Sequence, residues 1–321
     1  MKIGIAYDTP EMYGLKSNRI NFDFAEETSI NEIKKSFSRL GYEVDLVGNL
    51  DNILKLIKSN SFNYDLIYNT VEGIKSRNRE GLVPAILEAY NVPYIGTDSF
   101  GLSLTLDKRL CKVLAKEIGV LTPNYYYVKT TDSYDEIKNG LKELHMPIII
   151  KPNFEGNSSG ICVKDNIDDA IISIKKIIEK YNMGVICEEF IRGREVTVPL
   201  IGNNDLIFAI TTVDIQKNDD FWLDVNCKVY GDYRNILLDC PNLNDKFYYI
   251  CKKLFNTIDC KDFARFDFRV DNNDNIYFIE ANPLPALFKG GSFDLLGQSK
   301  GLNYDEMLQL IINTTRQRLC I

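Results

Sequence analysis

Over residues 1–96 the chain alternates strand-like and helix-like patterns without a break, and that rhythm leaves few folds open. KIGIAY and YEVDLVG read as strands around a helical stretch over Ile30–Leu40. NILKLIKS then reads as a helix, YDLIYNT as a strand, GLVPAILEAY as a helix and VPYIG as a short strand. Strands joined through helices return to the same end of a sheet and pair in parallel. The expectation is a parallel α/β sheet. No GxGxxG turn follows its first strand, which disfavours a dinucleotide-binding domain.

The rhythm then changes. DKRLCKVLAKEIG is helical, YYYVK a strand, and a helix follows with Ile137, Leu141 and Leu144 at helical spacing. PIIIKPN, a Gly/Ser loop, ICVK, the helix IDDAIISIKKIIEKYN and the strand GVICEEFI complete an α+β module over 97–189. In the last segment, 190–321, REVTVPLIG and LIFAITTVDI are strands and Lys217–Pro241 is polar and loop-rich. NDKFYYICKKLFNTI is a helix, and a final helix carries an Asn303/Glu306 capping box.

Composition narrows the chemistry. A net charge of −7 and a pI near 5.0 argue against a general binder of nucleic acid or anionic membrane, while leaving room for a local basic site. Met1-Lys2 runs straight into a strand, and no apolar run reaches spanning length, so the expectation is a cytoplasmic protein without a signal peptide. The 8 cysteines form no CxxC pair and signal neither zinc nor a disulfide framework. The single histidine, His145, reads as structural. Chemistry here falls to carboxylates, lysines, arginines, backbone amides and an oxygen-liganded metal.

FARFDFRVDNNDNIYFIEANPLP, from Phe263 to Pro285, is the most informative stretch. Strict alternation puts Phe266, Phe268 and Val270 on one face of the first strand and Arg265, Asp267 and Arg269 on the other. In the second strand Ile276, Phe278, Glu280 and Asn282 would share a face. Closure through Asn272–Asn275 would set Asp267 opposite Glu280 and Arg265 opposite Asn282. Two facing carboxylates repel unless a cation lies between them.

Three other patches carry weaker signals. In IIIKPNFEGNSSGI, Lys151 precedes the small-residue loop Glu155–Gly160, whose backbone amides suit an anion; a plain hairpin loop is the alternative. No GK[ST] follows, so this is not a Walker loop. In VICEEFIRGREVTV, Glu188 and Glu195 suit ribose hydroxyls or else a solvated hairpin edge. Lys108 in LDKRLCK stands near a helix N-terminus, where most lysines are merely solvated.

In this order the patches resemble the ATP-grasp layout, and within it the D-alanine–D-alanine ligase group. NREGLVPAILEAYNVPYIGTD and CKDFARFDFRVD are similar to that group as well. The resemblance implies an α/β fold, α+β in parts, of three domains: an N-terminal substrate domain over 1–96, a central subdomain over 97–189 and a C-terminal subdomain over 190–321. ATP would lie between the last two. Asp267, Glu280 and Asn282 would bind two Mg²⁺ ions, a role Mn²⁺ can also fill. Arg265 would hold the transferring phosphate. Lys108 and Lys151 would hold ATP phosphates under the loop of Glu155, Gly156, Asn157, Ser158 and Ser159. Glu188 and the backbone of Glu189–Phe190 would face adenine, and Glu195 the ribose.

Substrate positions depart further from the group. Its phosphate-loop serine is matched by Asn157, with Ser158 next; its Lys-Tyr pair by Lys228-Val229, with Tyr230 one place late. The residues gripping a second substrate would be Gly291 or Ser292, beside a new charge at Lys289. Glu26 or Glu27 would meet the first substrate's amino group, and Arg77, Arg79 or Glu80 in VEGIKSRNRE would line the sheet's edge; ordinary surface loops are the alternative.

The implied chemistry is an ATP-dependent carboxylate–amine ligation through an acyl phosphate, acting on small amino-acid or peptide substrates, in a homodimer. D-Alanyl-D-alanine synthesis is one version and another amino-acid pair a second. A catalytically silent nucleotide-binding protein is a third, disfavoured because burying such charges without a ligand is costly.

Overall fold

The computed structural model describes residues 1–15, 27–74, 76–156, 158–217, 233–238 and 240–321. Glu26, Asn157, Lys228 and Tyr230 lie outside the described residues. The first sheet holds β1 (Lys2–Ala6), β2 (Glu43–Gly48), β3 (Leu66–Asn69) and β4 (Tyr94–Ile95) in the order β2-β1-β3-β4, all parallel, as the alternation requires. Its crossovers are α1 (Glu27–Arg39), α2 (Leu50–Lys58) and α3 (Leu82–Ala89). Since β2 and β3 flank β1 on opposite sides, the chain reverses its winding beside β1, and a crevice opens at the strands' carboxyl ends.

Next come α4 (Ser99–Leu106) and α5 (Lys108–Glu117), then a second, antiparallel sheet of β5 (Tyr125–Val128), β6 (Ile148–Pro152), β7 (Cys162–Lys164) and β8 (Val185–Glu189). Its helices α6 (Tyr134–Leu141) and α7 (Ile167–Tyr181) bury Ile137, Leu141, Ile171 and Ile174 against Ile148 and Ile150. The helix α4 was not anticipated. Its sequence, SFGLSLTL, holds Gly101 and Thr105 and lacks a charged face, so propensity and periodicity are both weak; Asp98 caps it by accepting from the Gly101 amide at 2.8 Å.

The third sheet contains β9 (Arg194–Asn203), β10 (Leu206–Ile210), β11 (Val213–Lys217), β12 (Tyr233–Leu237), β13 (Phe263–Val270) and β14 (Ile276–Asn282), with α8 (Pro241–Ile258) packed on it. The loop-rich expectation over 217–241 is corrected in part: Tyr233–Leu237 pairs antiparallel with β11. This short edge strand is mostly exposed and shows no alternation to read.

The chain closes with α9 (Ser292–Ser299) and α10 (Tyr304–Leu319). Met307, Leu308, Ile311 and Ile312 of α10 pack against Ile30, Ile33 and Phe37 of α1 and the apolar face of the first sheet, so the chain's two ends share one core. The capping box that starts α10 is formed: Asn303 accepts from the Glu306 amide at 3.0 Å and Glu306 accepts from the Asn303 amide at 2.8 Å. Asn303→Ala should lower stability by about 1 kcal/mol in urea unfolding, and an unchanged midpoint would contradict that role.

Candidate active site

The hairpin β13–β14 pairs Arg265 with Asn282 and Asp267 with Glu280. Strict alternation fails in β14, however, and the failure matters. Phe268 pairs with Phe278, while the adjacent Asp267 pairs with Glu280, so Ile279 is an extra, bulged residue. Ile276 and Phe278 therefore face the core with Phe268, while Glu280 and Asn282 turn to the opposite face beside Arg265 and Asp267. The expectation that all four residues of β14 share a face is corrected by this bulge. One inserted residue gathers the hairpin's charges on a single surface.

On that surface Asp267 accepts from Arg265 at 2.9 and 3.0 Å, from Asn282 Nδ2 at 2.9 Å and from Thr197 Oγ1 at 2.6 Å. Glu280 lies 3.5 Å from Lys108 Nζ. The facing carboxylates are thus each met by a cation of the chain itself. Lys108 also donates to the Glu155 carbonyl, joining the hairpin to the small-residue loop.

That loop is pinned at its start. Asn153 accepts from the Arg109 amide at 3.1 Å and donates to Asp107 at 2.8 Å, while Arg79 donates to the Phe154 carbonyl at 2.6 Å. The Arg77 guanidinium stacks over the Phe154 ring at 5.3 Å. Arg77 and Arg79 of VEGIKSRNRE are therefore turned to the loop, with Glu80 3.9 Å from Arg79. Further along, Ser158 adopts a positive φ of 59° and Ser159 Oγ contacts the Tyr181 hydroxyl at 3.1 Å.

Lys151 and Glu188 form a buried pair at 3.1 Å, and the second oxygen of Glu188 lies 3.2 Å from Lys112, which is 0% exposed. Burial works to raise the Glu188 carboxyl, but the two ammonium charges outweigh it and the net shift is downward. Burial lowers Lys112 to about 8, opposed by Glu188 and reinforced by Lys151. Lys112 escaped the sequence reading, although it stands one turn from Lys108 on the face that buries Cys111 and Ala115.

Glu189 accepts from Asn124 Nδ2 at 3.1 Å and from the His145 amide at 2.9 Å. Glu195 lies 3.1 Å from Arg269, whose guanidinium stacks over Phe190 at 5.2 Å. Gly193 makes this junction possible: at φ 128°, a Cβ there would fall 2.1 Å from the Val270 carbonyl oxygen. The turn between β8 and β9 can thus lie against the hairpin.

Substrate-side candidates are more scattered. Lys289 is about half exposed, and its ammonium lies 2.8 Å from Glu32 of α1. Gly291 caps α9, Ser292 begins it, and Asp294 in its first turn accepts from the Gly290 amide at 2.8 Å. Glu27 is exposed at the first residue of α1. At the crevice of the first sheet the sequence reading overlooked Asp8. Its carboxylate accepts from Tyr13 at 2.9 Å and from the amides of Gly73 and Glu72 at 2.8 and 3.2 Å, and burial raises its carboxyl.

Among the described residues no cluster of three His, Cys, Asp or Glu side chains suits a metal, and no helix is long and apolar enough to cross a membrane. The hairpin's oxygen set is two carboxylates and one carboxamide, which is hard-ligand chemistry suited to Mg²⁺.

Comparison with known proteins places this geometry. The chain is 28% identical to D-alanine–D-alanine ligase B of Clostridium perfringens, over 98% of each chain. It is 27% identical to the D-alanine–D-alanine ligase of Aquifex aeolicus, over 87% of this chain and 92% of that one. The Bacillus anthracis D-alanine–D-alanine ligase solved with ATP superposes with a TM-score of 0.76 at 20% identity, covering 99% of this chain and 98% of that one. The VanG D-Ala:D-Ser ligase of Enterococcus faecalis gives 0.77 at 16% identity, over 98% and 99%. The family profile described as D-ala D-ala ligase C-terminus matches residues 114–313, well over half of the chain. With the ATP-grasp fold shared along its whole length, the chain belongs to the D-alanine–D-alanine ligase family and is an ATP-dependent, ADP-forming ligase.

Proposed function

We propose that the chain joins an amino-acid carboxylate to an amine through an acyl phosphate, with D-alanine as the first substrate to test on both sides. The observation that carries the site assignment is the bulged hairpin, whose one face gathers Arg265, Asp267, Glu280 and Asn282 beside Lys108. In this reading residues 1–96 supply the first substrate's crevice, and 97–189 with 190–321 enclose ATP. Asp267, Glu280 and Asn282 hold Mg²⁺, which when bound neutralises charge on the phosphates.

The protein's own side chains do the rest. Lys108 and Lys151 hold phosphate oxygens, and Glu155, Gly156 and Ser159 close over them with Asn157 and Ser158 at the reacting end. Arg265 holds the transferring group while the substrate carboxylate attacks it in line; Glu189, Phe190 and Glu195 frame the nucleoside. Catalysis is then positioning and electrostatic stabilisation. By the family resemblance Lys228 is assigned to catalysis and Tyr230 to substrate, and Glu26, Glu27 and Glu80 to the first substrate. The family resemblance further suggests a homodimer acting in the cytoplasm.

One observation favours a second reading, in which the amine partner is an amino acid or peptide other than D-alanine. Asp294 already places a carboxylate at the N-terminus of α9, near Gly291 and Ser292, and Lys289 is engaged by Glu32. A second carboxylate would meet repulsion there. A similar fold serves the D-Ala:D-Ser ligase of E. faecalis, so the acceptor side tolerates change.

The deciding experiment measures phosphate release from ATP and Mg²⁺ with D-alanine and with a panel of D- and L-amino acids, β-alanine and small peptides, identifying products by mass. Turnover to D-alanyl-D-alanine supports the first reading. Turnover only with another acceptor supports the second, and silence across the panel contradicts both.

A further inference from the structure

We propose that Lys112 is a positioning residue that locks the phosphate-binding Lys151 to the bulged strand carrying Glu280 and Asn282. The inference rests on the site assignment just given. Lys112 is 0% exposed and its ammonium touches groups from three separate segments: Glu188 of β8 at 3.2 Å, the Thr122 hydroxyl between α5 and β5 at 2.9 Å and the Ile279 carbonyl of β14 at 3.4 Å. The Thr122 and Ile279 contacts are hydrogen bonds, and the Glu188 contact is an ion pair.

The partners are what give the ammonium a task. Ile279 is the bulge residue, so its carbonyl has left the regular ladder and needs a donor from elsewhere. Thr122, which accepts from Lys112, donates to the carbonyl of the preceding Phe278 at 3.0 Å, and the Phe278 amide donates to Leu121 at 2.8 Å. The bulge is therefore held from outside the hairpin by α5 and the segment after it. On its other side Lys112 binds Glu188, which binds Lys151 at 3.1 Å. A continuous polar path runs from the strand that aims Glu280 to the ammonium assigned to ATP.

Pure packing would not select a lysine here. A fully buried ammonium is expensive to desolvate, and an apolar side chain of similar volume is commonly as stable. Without Lys112, Glu188 keeps Lys151 as its one cation and draws that ammonium inward, while the Ile279 carbonyl loses its donor. Both the phosphate contact and the aim of Glu280 shift together.

The test is Lys112→Met, measured by calorimetry with ATP alone and with ATP plus Mg²⁺, beside parent and Glu280→Gln proteins. The expected result is a folded protein whose Mg²⁺-dependent nucleotide affinity falls about 10–100-fold, the usual size for groups that orient ligands. Its effect should not add to that of Glu280→Gln, because one shift underlies both. A purely structural lysine predicts a lower melting temperature with parental affinity well below it, and that outcome overturns the proposal. If Lys112→Met does not fold, Thr122→Val removes the hydroxyl linking the ammonium to the bulge while keeping shape; it should move the same affinity in the same direction, and parental affinity in that variant is equally fatal. If the parent itself binds no ATP, the site assignment fails first and takes this proposal with it.

Discussion

Asp267→Asn and Glu280→Gln should each lower turnover by about a thousandfold, the loss expected when several kcal/mol of charge stabilisation is withdrawn from a transferring phosphate. The two variants differ in their structural side effects. Glu280 is 31% exposed and its carboxylate touches Lys108, which keeps the Glu155 carbonyl as a partner, so Gln should leave the fold intact. Asp267 accepts from Arg265, Thr197 and Asn282, and an Asn there loses part of its match to the guanidinium. Asp267→Asn should therefore also lose some stability. Phosphate release and thermal unfolding, run on the same preparations, separate the two effects. Parental turnover in both variants would mean that the hairpin face is not where phosphate chemistry occurs.

The second large effect concerns folding. Asp262 is 0% exposed and accepts hydrogen bonds from the Gly96 amide at 2.8 Å, Asn203 Nδ2 at 3.0 Å, Thr315 at 2.8 Å and Arg318 at 2.7 and 2.8 Å. Arg318 also donates to the Tyr94 carbonyl at 2.9 Å. A single carboxylate thus gathers the edge of the first sheet, the end of β9 and the last helix. Removing it strands a guanidinium and a buried amide, and Asp262→Ala should cost about 3–5 kcal/mol. Its backbone adds to this, since Asp262 sits at φ 65°, which Asn tolerates better than Ala. Asp262→Asn should accordingly be the milder of the two. Denaturant unfolding followed by fluorescence and circular dichroism gives the comparison, and an Ala variant within about 0.5 kcal/mol of the parent would show that other contacts hold the junction.

Much of the architecture was legible because it is written in local patterns. Alternating strands and helices at the N-terminus could pair only in parallel, and they do. The Asn303/Glu306 box depends on spacing within a few residues, which a reader of the chain can count. The pairing of Asp267 with Glu280, counted across a turn of Asn272–Asn275, is reached instead through a turn of Asp271–Asn275 and one bulged residue. Charge placed inside an otherwise apolar hairpin announced chemistry for the same reason: burial makes such residues costly without a task.

What the chain could not disclose lies in contacts between distant segments. The bulge at Ile279 leaves no mark in a string of residues, since strict alternation reads just as well, yet it alone brings Glu280 and Asn282 round to Asp267. Lys112 looks like any helical lysine until β8 and β14 close over it; Lys289 looked free for substrate until α1 presented Glu32. Local propensity acts over one turn of helix or one strand. Desolvation and ion pairing act on whatever the completed fold brings within a few ångströms, and at this site they selected the partners.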